Sequence, residues 1–203
     1  MAGRRGRSDH FARRARAENY PARSIYKLEE IDRRLGLFKR GSLVLDLGAA
    51  PGSWTIYVAE RVGPEGRVIA VDRAPLTVRL PGNVVAIEVD ALAVDPPALL
   101  ERTGGRRFDA VISDMAPRTS GDRFVDQSRS FQLFCRALEL ACELVAPGGH
   151  FVGKIFQGED FEAARERVRA AFGTARVLRP RSVRSESYEI YLVGLSRTAL
   201  DGR

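Results

Sequence analysis

Three carboxylates and a glycine turn sit where a nucleoside-like ligand could be held. The run Leu43, Val44, Leu45, Asp46, Leu47 reads as a buried strand and leads into Gly48, Ala49, Ala50, Pro51, Gly52, Ser53 and Trp54. That is a strand, a small-residue turn and a helix start; Gly48 and Gly52 let a ligand approach the backbone with no Cβ in the way. A second strand ends at Asp72, a third at Asp90, and a fourth runs through Ser113 into Asp114, Met115, Ala116 and Pro117. An acid at the carboxyl end of the second strand commonly accepts from ribose hydroxyls, and one on the third can accept from an amino group. The glycine spacing is not that of a pyrophosphate-gripping dinucleotide loop, and no triphosphate-binding G-x-x-x-x-G-K-[ST] occurs in the chain. The pattern fits S-adenosylmethionine, with Gly48, Pro51, Gly52, Trp54, Asp72, Asp90 and Asp114 as candidate cofactor residues. Helix capping or plain solvation is the competing use of each acid.

The elements that must position these residues alternate strand with helix. Candidate strands are Ser42–Asp46, Arg67–Asp72, Val84–Asp90, Phe108–Ser113, Gly149–Phe156, Arg176–Leu178 and Tyr188–Leu195. A helical stripe of Phe131, Phe134, Cys135, Leu138, Cys142 and Val145 is terminated by Pro147, Gly148 and Gly149. Ser24–Leu35 reads as a further helix leading into the domain. Buried, non-alternating strands joined by helices predict an α/β doubly wound, mostly parallel sheet of seven strands with an antiparallel last strand. Such a sheet binds ligands beyond its carboxyl edge.

Charge adds a partner. Twelve Lys and Arg against five acids among residues 1–40 account for the whole formal net charge of +7, and the other 163 residues are balanced. An excess so localised reads as a footprint for a polyanion, most often nucleic acid. Residues 1–20 are expected to be a basic, flexible tail and 21–203 a single domain. The Arg-rich start has no apolar stretch behind it, so it does not read as a secretory signal, and no apolar run approaches the roughly 18 residues of a membrane span. Cys135 and Cys142 lie seven residues apart on one helix, roughly 10.5 Å along the axis. That is too far for a disulfide and suits a reducing, cytoplasmic setting. Two histidines without ligand spacing give no metal site.

Five segments together resemble the FtsJ (RlmE) family of RNA ribose 2′-O-methyltransferases. They are Ala22–Ile31, Asp46–Trp54, Ser113–Pro117, Pro147–Gly149 and Val152–Gly158. The similarity runs from about residue 20 to 197. It implies an active-site tetrad of Lys27, Asp114, Lys154 and Glu189. Glu186 competes for the fourth place, but the run Glu189, Ile190, Tyr191 matches the family's strand pattern better. The implied reaction is methyl transfer from S-adenosylmethionine to a ribose 2′-hydroxyl, of a uridine in 23S ribosomal RNA. A tRNA ribose is the alternative substrate, because Ser53 stands where bacterial members often have Gly and where relatives acting on tRNA also have Ser. A non-catalytic RNA-binding ribosome-assembly factor is the alternative class. In the implied chemistry a lysine accepts a proton near neutral pH only if burial or a nearby cation favours its neutral form. Lys154, alone among apolar residues on its strand, is the expected base, with Lys27 as the neighbouring cation. RNA contacts are expected from the basic N-terminal region and from Arg176, Arg179, Arg181 and Arg184. Tyr20, Tyr26 and Tyr188 are candidates to stack on bases.

Overall fold

Seven strands and six α-helices build the computed structural model, which describes the backbone of residues 3–184 and 186–199 and side chains from His10 onward within them. The strands are β1 (Leu43–Leu47), β2 (Arg67–Asp72), β3 (Val84–Glu88), β4 (Phe108–Ser113), β5 (Val145–Phe156), β6 (Phe172–Leu178) and β7 (Glu189–Arg197). The helices are α1 (Gly3–Ala17), α2 (Ile25–Leu35), α3 (Ser53–Val62), α4 (Pro96–Arg102), α5 (Arg123–Leu144) and α6 (Phe161–Ala171). The sheet order is β3-β2-β1-β4-β5-β7-β6. The first five strands in that order pair parallel, and β7 pairs antiparallel with both β5 and β6. The expected architecture is therefore present, with β7 inserted inside the edge strand β6.

Strand periodicity divides the core into two layers. Leu43, Leu45, Leu47, Val111, Phe151 and Ile155 face α4, α5 and α6. Val44, Val68, Ile112, Val152, Tyr191 and Val193 face α2 and α3. β1 is buried along its whole length, as a central parallel strand requires. Among the described residues, no helix is long and apolar enough to cross a membrane.

β5 departs from the expected Gly149 start. Val145 already pairs with Phe108, and the next pair is Ala110 with His150, so Pro147, Gly148 and Gly149 bulge out of the ladder. The bulge needs glycine, since a Cβ on Gly149 would stand 2.7 Å from the Asp109 carbonyl. α5 thus stops at Leu144, before the Pro-Gly-Gly segment.

The N-terminal segment is helical over Gly3–Ala17. Ala15 is buried with Ile25 and Tyr26, and Phe11 packs against them. Arg14 lies 4.4 Å from the Tyr26 ring centre and pairs with Glu18, which accepts from the Tyr26 hydroxyl. The side chains of Arg4, Arg5 and Arg7 lie outside the described residues.

α2 is anchored from both ends. Ile25, Leu28 and Ile31 are buried, and Gly36 closes the helix in a left-handed conformation with its N–H on the Asp32 carbonyl. The buried Asp32 carboxylate accepts from the Leu37 and Phe38 amides, Tyr57 and Arg61. This fixes the helix that carries Lys27.

Candidate active site

The four tetrad positions come together at the carboxyl edge of the sheet, on the face packed by α2 and α3. The geometry follows from strand parity. Lys154 of β5 sits directly opposite Tyr191 of β7, so both side chains emerge on one face. Glu189, two residues before Tyr191, shares that face, and antiparallel β7 begins where parallel β5 ends. Asp114 immediately follows β4. Lys27 descends from α2.

Contacts within the cluster are direct. The Lys154 ammonium is 3.0 Å from Asp114 Oδ1 and also donates to the Asp114 carbonyl. Lys27 donates to Glu189 Oε2 at 2.9 Å and lies 4.0 Å from Asp114 Oδ1. The Tyr191 hydroxyl donates to Asp114 Oδ1 at 2.7 Å. Lys27 also lies 5.9 Å from the centre of the Tyr191 ring. Two lysines and two carboxylates balance, as burial of charge demands. Burial alone would raise the Asp114 carboxyl, but Lys154, Lys27 and Tyr191 outweigh it and hold the group below the usual carboxylate range. Burial, then the Asp114 and Glu189 charges, pushes the Tyr191 phenol well above its ordinary value, so it remains a donor. Tyr191 belongs to the Glu189–Val193 run, but sequence reasoning assigned it no role; its register opposite Lys154 was the missing signal. Of the two glutamates considered, Glu189 meets Lys27, while Glu186 lies exposed on the preceding loop.

A cleft of about 660 Å³ adjoins the cluster and is lined by Gly48, Asp72, Asp90, Asp114, Met115 and Leu133 among others. A separate hollow of about 700 Å³ lies at the amino ends of the strands, near Arg40, Gly66 and Arg106, and has none of the strand-end acids. Gly48 has φ +76°, and a Cβ there would come 2.6 Å from Met115 Cγ, so only glycine fits this wall. Asp72 accepts from the amides of Ala50 and Ala74, which ties the glycine turn to the end of β2. Asp90 accepts from the Leu92 amide at 2.9 Å through Oδ1. Both acids thus serve the local backbone and also line the cleft.

Three candidate cofactor residues lie elsewhere. Pro51 is exposed and Gly52 is buried, and neither lines the cleft. Trp54 is 3% exposed, donates to the Ser24 carbonyl and packs on Tyr191 with ring centres 5.9 Å apart. Its position on the first turn of α3 turns it towards α2, away from the cleft. It supports Tyr191 from beneath.

Ser53 is buried and bonds both the Ala22 amide and the Ala22 carbonyl. It holds the entry to α2.

Asp46 is fully buried beside this site. Its Oδ2 accepts from Thr55 at 2.7 Å, and Oδ1 has no partner among the described residues. Burial raises the carboxyl from 3.8 to about 7 against the Thr55 hydrogen bond, with smaller contributions from Asp114 and Asp72. Folding therefore takes up a proton between those two values, and stability falls as pH rises through that window. Asp46→Asn removes the cost of the buried charge. Urea titrations should show the variant more stable than wild type by on the order of 3 kcal/mol above neutral pH, and nearly equal near pH 4. Parallel stability curves across that range would contradict this reading.

The comparisons with known proteins agree with the geometry. Residues 20–197 match the family model described as FtsJ-like methyltransferase. The chain belongs to this family. It is 49% identical over 193 residues, 95% of this chain and 90% of the relative, to Ribosomal RNA large subunit methyltransferase E of Sorangium cellulosum. The protein of the same name from Desulforapulum autotrophicum is 46% identical over 94% of this chain and 93% of its own length. A crystal structure from Plasmodium falciparum, described as a ribosomal RNA methyltransferase, superposes with a TM-score of 0.78 at 23% identity. It covers 89% of this chain and 100% of that one, and it bears out the fold.

Proposed function

We propose that this FtsJ-like methyltransferase transfers a methyl group from S-adenosylmethionine to the ribose 2′-hydroxyl of a uridine in 23S ribosomal RNA, in a reducing, cytoplasmic setting. The observation that carries the reading is the Lys27, Asp114, Lys154, Glu189 cluster at the mouth of the cleft. The names and high identity of the large-subunit methyltransferases it matches support this choice of RNA.

The cleft fits the methyl donor. Gly48 lets Met115 pack tightly against the turn to form one wall, the Asp72 carboxylate suits ribose hydroxyls, and Asp90 keeps Oδ2 for an amino group. Asp114 lines the cleft between donor and cluster. Bound there, S-adenosylmethionine supplies a sulfonium-activated methyl. The chain's own residues serve the acceptor. The 2′-oxygen forms its new bond to the methyl carbon as the carbon–sulfur bond breaks and its electron pair goes to sulfur. Lys154, once in its neutral amine form, accepts the hydroxyl proton and becomes the ammonium that Asp114 holds. Lys27 faces the developing negative charge on oxygen. Asp114, held by Tyr191, aligns Lys154, and Glu189 aligns Lys27. Residues 21–203 act as one methyltransferase domain, and the basic segment before them adds RNA affinity.

Burial, then the Arg184 charge, lowers the Arg23 guanidinium from its ordinary value against the Glu189 and Glu186 charges that raise it. Arg179 donates to the carbonyls of Arg184 and Ser187 and so braces the loop before Glu189. Arg176, Arg181 and Arg184 are exposed for phosphates.

Calorimetry tests the donor site. S-adenosylmethionine should bind one per chain, and Asp72→Ala and Asp90→Ala should each weaken it by about 1–3 kcal/mol. Asp72→Ala should cost more, because it also releases Ala50 and Ala74. Unchanged affinity in both variants would place the nucleoside elsewhere. Labelled methyl from the same donor should enter large-subunit ribosomal RNA; entry into tRNA alone would overturn the substrate assignment.

A further inference from the structure

Two aromatic side chains are exposed among the described residues. Phe124 is 66% exposed and Tyr188 37% exposed, although most aromatic residues of the chain are buried or half-buried. Tyr188 immediately precedes Glu189. Its ring lies 4.8 Å from the Arg123 guanidinium carbon and meets Phe156 edge-on at 5.9 Å. Phe124 follows Arg123 on the first turn of α5, where Asp122 caps the Phe124 and Val125 amides. The assembly is braced, since Gln157 donates to the Tyr188 carbonyl and the Gln127 side chain donates to the Gln157 carbonyl. The other stacking candidates are occupied: Tyr26 is buried and bonded to Glu18, and Tyr20 donates to Glu60.

We propose that Tyr188, backed by Arg123 and flanked by Phe124, is a stacking platform for an unpaired base next to the target nucleotide of the RNA substrate. The inference rests on the RNA methyltransferase reading above. Lys27 and Lys154 are each less than a tenth exposed. The target ribose must enter the cleft to meet them, so its nucleotide leaves the stack and its neighbour loses a partner. An aromatic face with a guanidinium is the surface that replaces such a partner, and Arg adds attraction for the phosphate beside it. A chain whose net charge is +7 favours that polyanion over a neutral protein surface.

The test compares two strands of equal length and charge, a 12-nucleotide oligoadenylate and its fully abasic counterpart. Wild type should prefer the oligoadenylate. Tyr188→Ala and Phe124→Ala should each weaken its binding about 5- to 100-fold, leaving abasic-strand affinity and the salt slope unchanged. Tyr188→Phe should restore most of the preference. On a 23S ribosomal RNA transcript both alanine variants should raise KM while kcat holds. Unchanged oligoadenylate affinity in both variants, or equal losses on the abasic strand, would overturn the platform. Wild type that binds RNA with the expected base preference but transfers no methyl to the transcript would overturn the proposed function alone.

Discussion

Lys154→Ala should lower the single-turnover rate of methyl transfer by about 10²- to 10⁴-fold, the usual cost of losing a general base. S-adenosylmethionine affinity should change little, because Asp114 keeps its bond from Tyr191 and has Lys27 at 4.0 Å. Lys154→Arg should be nearly as harmful. A guanidinium stays protonated and accepts no proton, and it must fit where a slender ammonium touches both the carboxylate and the carbonyl of Asp114. The measurement is single-turnover transfer to unmodified ribosomal RNA, with calorimetry for the donor. A near-normal rate in Lys154→Arg would reduce Lys154 to an electrostatic support and send the proton to another acceptor.

The second large effect concerns charge. Replacing Arg4, Arg5, Arg7, Arg13 and Arg16 with Gln should flatten the slope of log K for RNA against log salt by up to about 4 and lower low-salt affinity at least about 100-fold. Substitution is a cleaner test than deletion, because Phe11 and Ala15 of α1 pack against Ile25 and Tyr26, next to Lys27. Arg14 is left in place, since it covers the Tyr26 ring. An unchanged slope in the substituted protein would make the segment a solubilising helix.

The lysine–carboxylate cluster was expected from the family resemblance, and three of its four members also stand in short local patterns. Lys154 interrupts an apolar strand, Asp114 ends another, and Glu189 opens a third. The strand-end acids were legible for the same reason, and Asp72 and Asp90 reach the cleft. Trp54 misled because a strand–turn–helix motif does not say to which side the first helical turn points. Its indole N–H finds the Ser24 carbonyl on α2. Tyr191 escaped because its role depends on the pairing of β7 with β5, a non-local register. α1 escaped because arginines surround its few apolar residues, leaving no stripe at helical spacing, and only docking of Phe11 and Ala15 identifies its packed side. The early start of β5 escaped because Pro147, Gly148 and Gly149 serve a bulge within the strand, while the same residues in sequence announce a break.

The most direct test of ribose methylation uses alkali. A 2′-O-methyl removes the hydroxyl that attacks the adjacent phosphodiester, so that one linkage resists cleavage. Ribosomal RNA from a strain lacking the enzyme is incubated with the protein and S-adenosylmethionine, then hydrolysed and mapped. One newly protected linkage 3′ to a uridine of 23S ribosomal RNA, absent with Lys154→Ala, is the predicted result. Methyl incorporation with every linkage still cleaved would place the methyl on a base and contradict the account.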